Sequence, residues 1–128
     1  MASYAAGGPG KPRRPGAREG KEASVAEFAH VGVPTHKKQP KETYIAGAKV
    51  HITNPDDHPY RFEFLRFEAG SPLPAVLQKG PHIAYMVGNL DAALKGEKVI
   101  VPPFDATPTL RVAFILKDGL AVEVMRAK

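Results

Sequence analysis

One pattern constrains this chain more than any other, and it occurs twice. A short apolar strand carries a histidine, and the stretch that follows closes with a glutamate on another strand. The first pass runs from His30 in FAHVGV to Glu63 in YRFEFLRF, the second from His82 in PHIAYMV to Glu123 in LAVEVM. A repeated order of elements predicts two similar supersecondary units packed together. Two imidazoles and two carboxylates, each among apolar neighbours, form a divalent-metal donor set. The chemistry is restrictive because a buried charge is costly unless it is paired or metal-bound.

The turn residues divide the chain into short strands. AEFAHVGV (26–33) reads as a strand ending at Pro34. Residues 35–48 are polar and interrupted by Pro40, which leaves at most one helical turn around Glu42 to Ala46. KVHIT (49–53) is a second strand, NPDDHP (54–59) is dense turn chemistry, and YRFEFLRFE (60–68) is an aromatic, alternating strand broken by GSPLP. In the second half HIAYMV (82–87) is a strand, and Asn89 caps a short helix over LDAALK that Gly96 ends. EKVIV (97–101) is a strand, PPFDATPT a loop and LRVAFIL (110–116) a strand. A Lys117-Asp118-Gly119 hairpin turn leads into LAVEVM (120–125). The second half thus has the order strand, helix, three strands, and the first half fits it with the helix reduced to a loop. The expected architecture is α+β: two tandem βαβββ modules (25–74 and 81–128) forming one curved mixed sheet that encloses a cup.

Composition excludes several classes. A chain of 128 residues with 43% hydrophobic residues supports one folded domain with a real core. The absence of cysteine rules out disulfides, thiolate zinc sites and cysteine nucleophiles, and fits a cytoplasmic location. No run is long enough to span a bilayer, and the N-terminus has no apolar segment of the secretory type. The net charge of +5 is unevenly placed. Residues 1–24 hold five basic residues against Glu19 and Glu22, which leaves +2 for the rest. Residues 1–24 therefore read as a flexible basic leader rich in Gly, Pro and Arg. A basic leader on a nearly balanced body is a weak signal for nucleic acid, and no stacking platform accompanies it. No Gly-rich phosphate loop or nucleophile elbow is present.

At these residues the chain resembles a known family. PHIAYMVGNLDAALKG, VIVPP, RVAFILKDG and AVEVM resemble the second module of the vicinal oxygen chelate superfamily, which includes glyoxalase I, bleomycin resistance proteins and extradiol dioxygenases. FAHVGVPT resembles its opening strand. The resemblance covers roughly 25–128. It implies that His30, Glu63, His82 and Glu123 are the ligands of one divalent ion, with nickel, zinc, iron, manganese and magnesium all open. The chain departs from the family pattern in THKKQPKETYIAGAK, where the first-module helix is short and broken by proline. That segment often shapes the substrate pocket, so the substrate does not carry over.

Strand alternation tests the set independently. Glu63 shares its face with Leu65 and Phe67, His82 with Ala84 and Met86, Glu123 with Ala121 and Met125, and His30 with Phe28 and Gly32. Phe28, Leu65, Phe67, Met86 and Met125 are therefore the candidate substrate-binding walls of an apolar cup. Glu68 is the rival to Glu63, on the opposite face, and Arg61 or Arg66 is the alternative partner for Glu63. His36, His51 and His58 lie in polar segments and read as exposed. Either Glu63 or Glu123 is a candidate general base, raised by apolar walls. The expectation is a metal-dependent isomerase, lyase or epimerase on a small oxygen-chelating substrate, working as a homodimer. The alternative is a small-molecule-sequestering protein of the bleomycin-resistance type, without catalysis.

Overall fold

The computed structural model describes residues 26–128, so the leader expected at 1–24 lies outside the described residues. Strands β1 (Ala26–Pro34), β2 (Thr43–Ile45), β3 (Val50–Ile52) and β4 (Phe62–Phe67) come from the first half. The second half supplies β5 (His82–Val87), β6 (Lys98–Thr107), β7 (Leu110–Lys117) and β8 (Leu120–Ala127). Two short helices, α1 (Ala75–Lys79) and α2 (Leu90–Leu94), complete the regular structure together with 3-10 turns at Ala46–Ala48 and Pro55–Asp57. The fold is α+β, with one eight-stranded mixed sheet in the order β2-β3-β4-β1-β5-β8-β7-β6, curled into a half-barrel.

The order is the same in both halves read outward from the centre. β1 lies parallel to β4 and β5 parallel to β8, and β1 meets β5 antiparallel at the join. Because side chains alternate across a strand, the registers define two faces. The inner face carries Leu65, Val112, Phe114 and Met125. On the outer face Val87, Ala113 and Val124 pack against Leu90 of α2. Asn89 Oδ1 accepts from the Ala92 N–H and caps α2. Asp118 and Gly119 both have positive φ (53° and 84°), the geometry of a tight two-residue hairpin between β7 and β8.

The first module differs from expectation in one element. The turn of helix placed around Glu42 to Ala46 is instead the short strand β2, followed by a 3-10 turn. Thr43, Tyr44 and Ile45 pair with Ile52, His51 and Val50, and a β-branched and aromatic triplet satisfies its backbone better in a ladder than in one isolated helical turn. In place of a helix, residues 35–42 form a strap. It is tied down by Glu42, which accepts from Arg66 Nε at 2.9 Å and Nη2 at 2.6 Å and from the Gln39 N–H.

β6 is also longer than expected. It continues through Pro102 and Pro103 to Thr107, with three register shifts against β7. Prolines fit there because, among the described residues, β6 is an edge strand paired on one side only. α1, which the pattern did not predict, is held by Leu77, 1% exposed. No helix among the described residues is long and apolar enough to cross a membrane.

Candidate metal centre

The four histidine and glutamate positions fall on the four central strands: Glu63 on β4, His30 on β1, His82 on β5 and Glu123 on β8. The registers bring them together with near-twofold symmetry. Gly32, two residues after His30, pairs with both Glu63 and His82. Ala84, two residues after His82, pairs with both Glu123 and His30. All four side chains project into the cup and are buried, at 4% exposure for His30, 9% for Glu63, 1% for His82 and 7% for Glu123. One donor atom from each lies within 4.8 Å of the other three.

Contacts inside the cluster are short. His30 Nε2 stands 3.3 Å from Glu63 Oε1 and 3.2 Å from Glu123 Oε1, and His82 Nε2 bonds Glu123 Oε1 at 3.0 Å. Burial alone would push the His30 imidazole down, but the carboxylates of Glu123 and Glu63 outweigh it and hold it up at about 9. Burial pushes Glu123 up, and the nearby imidazoles of His30 and His82 outweigh it, holding this carboxyl well below the usual carboxylate range. The cluster is thus built to hold positive charge between its carboxylates.

A divalent cation fits the donor set. His30 Nε2, though close to two carboxylates, makes no hydrogen bond of acceptable geometry, and it is buried. A nitrogen aimed into a carboxylate pair without a directed bond is expensive as a hydrogen-bond site and natural as a ligand. The set is two imidazoles and two carboxylates, so with neutral histidines a divalent ion makes the centre neutral overall.

Two residues support this geometry in ways the sequence pattern did not show. A Cβ on Gly32 would lie 2.0 Å from His82 Cε1, so the His82 ring occupies the space a side chain would fill. The equivalent position on the other strand is Ala84, whose methyl is tolerated. Arg61 is the second. Its backbone is left-handed (φ 60°), its Nε donates to the Ala29 carbonyl, and its Nη1 bonds Asp56 Oδ1 at 2.9 Å. It therefore ties β1 next to His30 to the turn that leads into Glu63. The alternative pairing of Glu63 with Arg61 or Arg66 does not occur, because these arginines hold Asp56 and Glu42. Glu68 is not a rival either: it lies on the outer face, bonded to His51 Nε2 at 3.0 Å and to the Tyr44 hydroxyl at 2.9 Å.

The candidate substrate residues separate. Leu65 and Met125 line a cavity of about 80 Å³ above the centre, together with Ile52, Leu110, Val112 and Phe114. Its walls come from both ends of the sheet, as the curl requires. Phe67 packs against Ala48, Val50 and Leu65, and Met86 against the core around Ala84, and neither lines the cavity. Phe28 is on the other face. The register shifts between Phe28 and His30, so Phe28 pairs with Tyr85 and is 51% exposed. The bulge breaks the alternation that placed it beside His30. Phe104, on the continuation of β6, lines the cavity instead.

No protein-family model matches the chain, and no curated protein does. Among solved structures, the crystal structure of hypothetical protein BH1468 from Bacillus halodurans C-125 is similar, with a TM-score of 0.63 and 19% identity over 81% of this chain and 96% of that one. At that identity the likeness shows the fold alone.

Proposed function

We propose that the chain is a divalent-metal-dependent enzyme of the vicinal oxygen chelate type, an isomerase, lyase or epimerase acting on a small substrate with oxygens on adjacent atoms. The observation that carries this is the convergence of His30, Glu63, His82 and Glu123 at the floor of an apolar cup. The resemblance of the β5–β8 segments to that superfamily and the half-barrel fold agree with it. A divalent ion held by the four side chains would act as a Lewis acid on the substrate's paired oxygens.

The protein's own groups divide the remaining work. Glu123 is held by both histidines, at 3.2 and 3.0 Å, and serves as the fixed ligand. Glu63 has the single partner His30 at 3.3 Å, so it is the carboxylate free to take a proton from the carbon beside a carbonyl. The apolar walls exclude water from that step. A sequestering cup needs no such donor set, which favours the catalytic reading. The partner we propose is a second copy of the chain, since among the described residues the outer edges of β2 and β6 are unpaired. A monomeric mass in light scattering would contradict that.

The test needs no known substrate. Metal-loaded protein is expected to exchange the carbon-bound protons of hydroxyacetone with D₂O faster than the free ion does. Glu63→Gln should lose this exchange while keeping the ion, and Glu123→Gln should lose the ion. Wild-type exchange no faster than that of the ion alone would transfer the chain to the sequestering class.

A further inference from the structure

Resting on that reading of the centre, we propose that the substrate joins a small chelating head to an uncharged apolar tail, and that the tail lies in a second cavity continuing the cup. That cavity, of about 490 Å³, is bounded by the turn at Ala46–Ala48, the loop at 72–74 and β6 from Ile100 to Asp105. It shares Ile45, Ala48, Leu73 and Phe104 with the 80 Å³ cup, so the two meet across these side chains. The cup has room for about two or three waters at ~30 Å³ each, hence for a head of only a few atoms. The larger cavity has the size of an ordinary ligand pocket.

The walls decide the chemistry of the tail. Pro72, Pro74, Ile100, Val101, Pro102 and Pro103 face the outer cavity. Among the described residues, no lysine or arginine lines either cavity. The single charged residue of the outer one, Asp105, is already held by Arg111 at 3.0 Å and Lys128 at 2.9 Å. With a divalent ion and neutral histidines the centre would carry no net charge, so it would offer no surplus positive charge to a distant anion. A carboxylate or phosphate on the tail would lose its water and find no cation, whereas a hydrocarbon tail gains from every methylene removed from water.

Hydroxamates with one head and different tails test this on the zinc-loaded full chain. The probes are acetohydroxamate, octanohydroxamate and suberic acid monohydroxamate, the last matching octanohydroxamate in length but ending in a carboxylate. Each buried methylene adds about fourfold in affinity. By calorimetry octanohydroxamate is expected to bind at least ~50-fold tighter than acetohydroxamate, and the carboxylate-tailed probe no tighter than acetohydroxamate. Pro102→Asp should shrink the ratio between the first two. Equal affinities for all three, or a carboxylate-tailed probe matching octanohydroxamate, would overturn the inference while leaving the centre intact. Zinc-dependent binding of acetohydroxamate reads the centre alone, and loss of all hydroxamate binding would overturn both.

Discussion

At Gly32 a single methyl group decides whether the centre assembles. The His82 ring rests where a Cβ would stand, so Gly32→Ala must turn His82 away from Glu123 or push β1 from β5. Metal affinity should fall at least ~10- to 100-fold, the range seen when support for a ligand is lost. Titration of the variant with zinc checks this, and unchanged affinity would show that the ring has another stable position. His30 sets the pH dependence. Its folded value of about 9 lies above its ordinary 6.5, so the metal-free protein gains stability from it below pH 6.5 and loses that gain as pH rises through 9. An ion needs the neutral imidazole and must displace this proton. Metal affinity should therefore rise with pH up to about 9, with proton release visible as a buffer-dependent heat. The four donors were legible in the sequence because the same order of histidine strand and glutamate strand recurs in each half. Phe28 was not, because a bulge leaves no mark in composition, and Gly32 reads as an ordinary small residue until its neighbour's ring is seen.

At the scale of elements, the two faces of the sheet separate stability from chemistry. Leu90 packs on the outer face against Val87, Ala113 and Val124, away from the donors. Leu90→Ala should destabilise the protein by about 2–5 kcal/mol while leaving metal affinity unchanged. Phe64, also on the outer face, is only half-buried and stacks edge-on to His58, so Phe64→Ala should cost less. Urea midpoints of the two variants, with zinc titrations alongside, make the comparison. An effect of Leu90→Ala on metal affinity would mean the faces are coupled. Strand β6 shows why part of the pocket was hidden. PPFDATPT reads as a loop from its prolines, yet an edge strand tolerates them, and the continued strand delivers Phe104 to the cup. Likewise the polar run at 35–42 carries no periodicity, since its Glu42–Arg66 clamp depends on a partner 24 residues away.

For the whole molecule, the repeat read from the sequence becomes a near-twofold sheet with its symmetry axis at the β1–β5 join, and the donors gather there because each half contributes one histidine and one glutamate. The order of strands was legible in the repeat. The depth of the cup was not, since it depends on how far the sheet curls to bring Ile52 and Leu110 to one cavity. The most direct measurement is calorimetric titration of chelator-stripped full chain with zinc, wild type beside His82→Gln. Glutamine is preferred to alanine because His82 packs edge-on against Phe114 at 5.2 Å and its volume must be kept. One ion per wild-type chain and loss of that binding in a variant that stays folded is the expected result. A stripped wild type that takes up no ion, or a His82→Gln variant that still binds one per chain, would contradict the metal centre.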